Sequence, residues 1–298
     1  MDNKVGIILV NYNGAKFNSD CIESIKKSSH SNFEIIVVDN ASNDESVMIL
    51  ERDYSKDIVL IKSAENLGFS GANNLGIDYA LSNGCDYVML LNNDTIIDKD
   101  MINIMIRESN AEIVITPKIY YFDNNKVIWS AGGKMLWKKG IPYQLGLGEE
   151  DKSQYNLSYN VEIATGCCLL IPKKVIRKIG KLNDDYFLYY EDTDLSVRML
   201  KEGFKIKYIP NAFMYHRVSA STGGEESYIY IYYNTRNRLL FNKRYNSKNK
   251  VYYTTYFYIT RLFKIIKWIL EGRRDLCSAT IKGIVDFYSE QLGKLKQN

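Results

Sequence analysis

Short, unbroken apolar runs recur through the early part of the chain, and each leads into a stretch with helical spacing. "VGIILV" (5–10) precedes a helical pattern reaching about Ser28, and "FEIIVV" (33–38) precedes 44–52. "IVLI" (58–61) precedes 70–82, and "YVMLL" (87–91) precedes 98–108, before "EIVITP" (112–117). Val, Ile and Leu runs without polar alternation mark strands buried on both faces, and amphipathic helices between them supply the crossovers of a parallel sheet. The expected class is α/β, a Rossmann-like, mostly parallel sheet with helices on both faces. Ligands in such sheets gather at the carboxyl ends of the strands. The residues there are Asn11-Tyr12-Asn13, Asp39-Asn40, Glu65-Asn66 and Asn92-Asn93-Asp94. Asn and Asp are also good turn formers, so one such cluster says little, but several along one edge point to a site.

The second half changes texture. Residues 117–160 mix short β-like pieces, aromatics and glycines without a strong helix. "VEIATGCCLLIP" (161–172) reads as a buried strand. "YEDTDLSVRMLKEGF" (190–204) predicts a helix from near Glu191, with acids in its first turn and Gly203 ending it. "KIKYIP" and "AFMYHR" predict two further short strands. From Glu225 the chain is helical and aromatic. Its run "VYYTTYFYITRLFKIIKWIL" (251–270) has the length of a membrane span, but Arg261, Lys264 and Lys267 would each cost ~2.5–3.5 kcal/mol at a bilayer centre. Their i, i+3, i+6 spacing instead puts them on one helical face, as in a helix lying in a membrane interface. The other reading is a helix packed on the body of the protein with its basic stripe in water.

Composition, cysteines, the opening segment and charge each add a point. Of 298 residues, 46% are hydrophobic and 25% charged, ordinary globular values that allow a sizeable core. Five cysteines, at 21, 85, 167, 168 and 277, form no CxxC pair and read as reduced packing residues, which favours the cytosol. The opening "MDNKVGIILVNYNG" reads as a first strand rather than a signal peptide. The net charge of +4 is unevenly placed: residues 225–298 hold 14 Lys/Arg against 6 Asp/Glu, and residues 1–224 hold 25 against 29. His30, in "SSHSN", reads as a solvated loop residue, and Asp194–Arg198 as a surface i, i+4 pair.

The polar clusters suggest group transfer from a diphosphate. That chemistry needs a divalent cation on the leaving diphosphate, a base for the incoming hydroxyl and a nucleoside pocket. A hard cation such as Mg²⁺ or Mn²⁺ binds through one or two carboxylates plus phosphate oxygens, sometimes with an imidazole. Asp94 and His216 can serve together, and Asp192 or Glu191 can be the base. Plainer readings stand beside these: Asp94 and Asp39 as helix caps or turn residues, Glu191 and Asp192 as complements to a helix dipole, and His216 as a structural histidine.

Eight stretches in order carry a resemblance: "VNYNG" (10–14), "VVDNASND" (37–44), "NLGFSGANNLG" (66–76), "LLNND" (90–94), "ATGCCLLIPK" (164–173), "YEDTDLSVR" (190–198), "YHR" (215–217) and "YYNTRNRLL" (232–240). Over residues 5–240 the chain resembles an inverting family 2 glycosyltransferase of the GT-A fold, and more narrowly the rhamnosyltransferase-like branch of bacterial polysaccharide synthesis. The resemblance implies a catalytic domain over 1–224, with a nucleotide-sugar half to about 116 and an acceptor half from about 117. It leaves 225–298 as a helical, basic and aromatic region.

By the same resemblance, Asp39 holds the pyrimidine ring, and Val10 and Asn11 begin the loop facing the base. Asn66, Gly68, Gly71 and Asn73 pass the ribose and diphosphate. Asn92 and Asn93 lead to Asp94, the metal-binding acid, and His216 completes the metal site. Asp192 is the general base, paired with Glu191. Most members carry an acid where Asn92 stands; the amide brings no charge, so the donor diphosphate is expected to bring the Mg²⁺ or Mn²⁺ with it. Trp137, Tyr189 and Tyr190 are candidates for the acceptor pocket, or plain core residues.

The implied donor is dTDP-rhamnose or a UDP-hexose, and the implied acceptor a glycan or a polyprenyl-diphosphate-linked sugar. The expected location is the cytoplasmic face of the plasma membrane, held there peripherally by the C-terminal region, with no nucleic-acid partner. A nucleotidyltransferase should carry a Gly-rich, Arg/Lys-bearing signature near the first strand, which "VNYNGAKF" lacks. A glycosidase would need two facing carboxylates and no nucleotide pocket.

Overall fold

The structure is a computed structural model and describes residues 3–218 and 226–296, so the expected boundary at 224/225 lies outside the described residues. The first half alternates as expected: β1 (Val5–Asn11), α1 (Asn18–Lys26), β2 (Phe33–Asp39), α2 (Ser46–Tyr54), β3 (Ile58–Lys62), α3 (Gly68–Ser82) and β4 (Tyr87–Asn92). Then follow β5 (Thr95–Ile97), α4 (Met101–Glu108), β6 (Ile113–Tyr121), β7 (Ile128–Ser130), β8 (Gly133–Leu136), β9 (Ile141–Gln144) and β10 (Tyr159–Asn160). The remainder is β11 (Cys168–Pro172), α5 (Lys173–Ile179), α6 (Glu191–Lys201), β12 (Lys205–His216), α7 (Tyr228–Tyr245), α8 (Lys250–Leu270) and α9 (Arg274–Tyr288).

One sheet runs in the order β10-β12-β6-β11-β4-β1-β2-β3, with β5 on β12 and β7 on β6. β1 to β4 are mutually parallel, while β11 runs antiparallel to both β4 and β6. Alternate residues of each central strand feed opposite cores, as the period of two requires. Ile7, Leu9, Met89 and Leu91 meet α1, α2 and α4 on one face. Ile8, Val88 and Leu90 meet α3, α5 and α6 on the other. Helix α3 lies close on β1: a Cβ at Gly76 would stand 2.5 Å from Ile8 Cγ2.

The structure departs from the sequence reading in five places, the first being that the strand expected over 161–172 covers only Cys168–Pro172. The two short strands expected at 205–217 are one strand, β12, with a register shift between Ile209 and Phe213. Proline at 210 cannot donate to the ladder, so the strand bulges there instead of ending. His30 is buried, its Nε2 3.1 Å from the carbonyls of Asn3 and Asn32. Asp194 is fully buried rather than on the surface: Arg198 Nε donates to its Oδ2 (2.6 Å), and the Tyr245 (2.7 Å) and Tyr186 (3.2 Å) hydroxyls donate to Oδ1. Arg261 is also buried, so only Lys264 and Lys267 of the expected basic stripe face outward.

Helix α7 is buried on nearly every side, including Arg236, Asn237 and Arg238. Arg236 donates to the carbonyls of Gly293 (2.7 Å), Tyr186 (3.0 Å), Asp185 (3.1 Å) and Gln291 (3.4 Å). Asn237 Nδ2 donates to the carbonyls of Leu188 (2.8 Å), Tyr186 (2.9 Å) and Tyr189 (2.9 Å), and its Oδ1 accepts from Arg236 Nε (2.9 Å). The two side chains thus clamp the loop that delivers α6. Asn237→Ala takes this donor from the carbonyls of Leu188 and Tyr189 and leaves that of Tyr186 with Arg236 alone. We expect it to cost about 3 kcal/mol in denaturant unfolding; a loss within experimental error would show that the clamp holds nothing.

Candidate active site

Because β1 to β4 are parallel, Asn11, Asp39, Lys62 and Asn92 end their strands along one edge. β11 starts at that edge, with Cys168 opposite Leu91, and β12 finishes there, with His216 opposite Thr95. Segments remote in sequence therefore meet at the position expected for a ligand in this sheet type.

A buried amide network forms the floor. Asn11 Nδ2 lies 2.7 Å from Asp39 Oδ1, 2.8 Å from Ser46 Oγ and 3.0 Å from Ser42 Oγ. Asn11 Oδ1 accepts from Asn18 (2.7 Å) and Asn93 (3.4 Å), and Asn93 also donates to Asn18 Oδ1 (2.7 Å). The side chains of Asn11 and Asn93 are thus committed inside the protein, where they fix Asp39. Val10 is the strand residue beside them, paired with Val38 and Asn92. Asn66 and Asn40 likewise pin the next loop: Asn66 Oδ1 accepts from Gly68 N (2.8 Å) and Asn40 Nδ2 (3.0 Å). Gly68 has φ +73° and lies against Phe187, whose carbonyl accepts from Phe69 N (2.7 Å). Gly71 and Asn73 fall inside α3, and Asn73 donates to Phe69 O (2.9 Å) on its own helix.

Asp94 follows this floor and meets His216. Its Oδ1 stands 3.2 Å from His216 Nε2, and neither Asp94 Oδ1 nor His216 Nδ1 has a hydrogen-bond partner, though all are buried. Trp129 packs edge-on against the imidazole, 4.5 Å between centroids. An unpartnered buried carboxylate oxygen facing an imidazole nitrogen suits a cation. Neighbouring ligands on an octahedral Mg²⁺ with bonds of about 2.1 Å stand about 3 Å apart, so the pair fits a hard divalent ion. Among the described residues no third His, Cys, Asp or Glu joins them, and Asn92 contributes no charge. The remaining positions suit phosphate oxygens and water.

Asp192 opens α6. Its Oδ2 accepts from Gly166 N (3.0 Å), and its Oδ1 from Thr193 N (2.6 Å) and Thr193 Oγ1 (3.2 Å). Burial raises its pKa, while these donors pull the other way. The residue after Gly166 ties this acid to the strand end that leads to Asp94, because Asn92 N donates to Cys167 O (2.9 Å). Glu191 turns into the protein and its Oε2 has no partner. Burial, and then the Asp192 charge, push its pKa well above the usual carboxylate range. Adjacent acids therefore differ in setting, with Glu191 buried and its pKa pushed up while Asp192 retains some access to solvent.

Of the aromatic candidates, Tyr190 is buried and Tyr189 packs edge-on against Tyr230 (5.1 Å). Trp137 is half-buried and stacks on Phe241 (6.2 Å). Sequence reasoning assigned no role to Arg236, Asn237 or Trp129. The first two lie in the quoted stretch "YYNTRNRLL", where an Arg-Asn pair inside an aromatic helix was the available signal.

A large sheet wound this way, with paired acids at its strand ends, defines a GT-A glycosyltransferase. The chain belongs to glycosyl transferase family 2, whose family model matches residues 6–180. It is 27% identical over 295 residues to the low-salt glycan biosynthesis hexosyltransferase Agl10 of Haloferax volcanii, covering 97% of this chain and 92% of that protein. A shorter match, 37% identical over 59 residues, is to an N-acetylglucosaminyl-diphospho-decaprenol L-rhamnosyltransferase of Mycobacterium tuberculosis, 20% of this chain and 19% of that one. Among solved structures, GalNAc-T7 with UDP, GalNAc and Mn²⁺ superposes with a TM-score of 0.67 at 14% identity, over 84% of this chain and 49% of that one.

The fate of Glu191 gives a stability signature. Unfolded, a glutamate releases its proton near pH 4.3; folded, Glu191 keeps it to higher pH. The folded state then binds more protons than the unfolded, so stability falls as pH rises between those two values. Glu191→Gln removes that loss. We expect its Tm to match the wild type near pH 4 and to exceed it increasingly as the pH rises from there; a difference independent of pH would contradict the assignment.

Proposed function

We propose that the chain is an inverting hexosyltransferase that moves rhamnose from dTDP-rhamnose to a glycan or lipid-linked acceptor in surface polysaccharide synthesis. The observation that carries the reading is the meeting of Asp39, Asp94 with His216, and Asp192 at one sheet edge. Asp39 takes the pyrimidine. Asp94 and His216 hold a divalent cation, which when bound stabilises the charge on the departing diphosphate. The acceptor hydroxyl attacks the anomeric carbon from the face opposite the diphosphate while Asp192 takes its proton. The bond from the anomeric carbon to the diphosphate oxygen breaks, the nucleoside diphosphate leaves and the configuration inverts. Agl10 supports a hexose, the mycobacterial relative a rhamnose and a lipid diphosphate. A UDP-hexose donor is the competing assignment, favoured by the UDP in the GalNAc-T7 structure.

The C-terminal helices give this enzyme a membrane face. Ile259, Leu262, Phe263, Ile266 and Ile269 form an exposed apolar band on α8, flanked by Lys264 and Lys267, with Ile281, Val285 and Tyr288 exposed on α9. Among the described residues no helix is long and apolar enough to cross a bilayer. The band lies in the interface of an anionic membrane, on the cytoplasmic side where nucleotide sugars are made.

Two experiments test this. In a nucleotide-sugar panel with and without Mn²⁺, dTDP-rhamnose should release dTDP fastest, and only with metal. Asp192→Asn should lower turnover at least about 10³-fold with donor affinity kept, and the wild-type rate should fall as pH drops through the raised Asp192 pKa. Normal turnover by Asp192→Asn sinks the base assignment, and preference for a UDP-hexose sinks the rhamnose. Separately, Leu262→Asp with Phe263→Asp should abolish sedimentation with phosphatidylglycerol vesicles; unchanged sedimentation removes the membrane face.

A further inference from the structure

Three arginines enter the protein from the C-terminal helices, and they are not equally satisfied. Arg236 is saturated by carbonyls and by Asn237. Arg238 on α7 and Arg261 on α8 are only 6% and 9% exposed, yet the Nε of each has no hydrogen-bond partner. Arg238 donates once, to Lys139 O (2.7 Å). The two guanidiniums share the Phe257 ring, at 5.2 and 5.5 Å from its centroid. Among the described residues, the ring of Tyr256 also faces Arg238, 5.6 Å from its centroid. Burial and the neighbouring Arg238 lower Arg261 to about 10. Among the described residues no carboxylate meets either guanidinium, and two buried like charges in that setting are unfavourable until an anion arrives.

The place identifies the anion. Tyr190 is the residue before Glu191 and Asp192, and its ring packs on Phe241 of α7, 5.7 Å between centroids, so the helix that carries Arg238 borders the start of α6. The donor diphosphate is accounted for by Asp94 and His216. On the other side of α8 runs the exposed apolar band of Ile259, Leu262 and Phe263. Planar guanidinium forks match phosphate oxygens. We infer that Arg238 and Arg261 form the subsite for the phosphate or diphosphate ester of a lipid-linked acceptor, with the lipid on the outer face of α8. The inference rests on the glycosyltransferase reading and adds the residues that take the acceptor's charge.

The test is calorimetric titration of the full chain, its donor site filled with UDP or dTDP, with farnesyl diphosphate as a soluble prenyl diphosphate. The wild type should bind it, Arg261→Gln and Arg238→Gln about tenfold or more weakly, and Arg261→Lys in between. Farnesol should not distinguish the variants. Arg261→Gln without ligand should keep or raise the Tm, because it removes an unpaired buried cation. Equal binding by wild type and Arg261→Gln overturns the subsite, as does a lowered Tm with unaltered binding, which would give Arg261 a packing role alone. Inorganic diphosphate binding as tightly as farnesyl diphosphate overturns the lipid assignment. If neither UDP nor dTDP binds the wild type, the glycosyltransferase reading itself fails; loss of arginine dependence with nucleotide binding intact counts against the subsite alone.

Discussion

The loop ahead of α6 would not keep its shape by itself. Phe187, Tyr189 and Tyr190 all have positive φ, at 63°, 66° and 74°, in a region that costs a side-chain-bearing residue about 1–2 kcal/mol. What holds them is the set of donors that Arg236 and Asn237 aim at the carbonyls of residues 185–189. Phe187 O also anchors Phe69 at the start of α3, so the strain is tied to both halves of the sheet edge. Asp192 depends on this arrangement. The helix that carries it starts at Glu191, one residue after the last strained aromatic.

Along the edge, polar groups divide into those the protein satisfies and those it leaves open. Asn11, Asn18 and Asn93 bond to one another, and Asn11 bonds Asp39, so the amide floor is rigid and holds that carboxylate in place. Asp94 and His216 face each other at 3.2 Å without a hydrogen bond. Glu191 is buried with an unpartnered Oε2, and burial and then the neighbouring Asp192 charge push its pKa up, whereas Asp192 is held by three donors. The same contrast separates Arg236 from Arg238 and Arg261 in the C-terminal helices. A buried group that the fold leaves short of partners is costly, and here such groups lie around the place where phosphates and a hydroxyl have to meet.

Much of this was legible in the sequence. Unbroken Val/Ile/Leu runs and the helical spacing between them locate β1 to β4 and α1 to α4, and the strand ends supply Asp39 and Asp94. Periodicity is silent on direction, so the antiparallel insertion of β11, which brings Gly166 to Asp192, is visible only in the fold. Burial was also illegible where polar residues sit in core positions. Asp194, His30 and Arg261 read as surface residues because their types are usually exposed, and each is buried by contacts from distant segments. Arg236 and Asn237 were quoted in a motif, but their partners lie some fifty residues away in sequence.

The cation shared by Asp94, His216 and the donor diphosphate is the claim on which the chemistry turns. Electron–nuclear double resonance of the full chain with Mn²⁺ and the nucleoside diphosphate tests it directly. Phosphorus couplings together with one imidazole nitrogen coupling, the latter lost in His216→Gln, are predicted. Phosphorus couplings with no nitrogen coupling in the wild-type chain would contradict it.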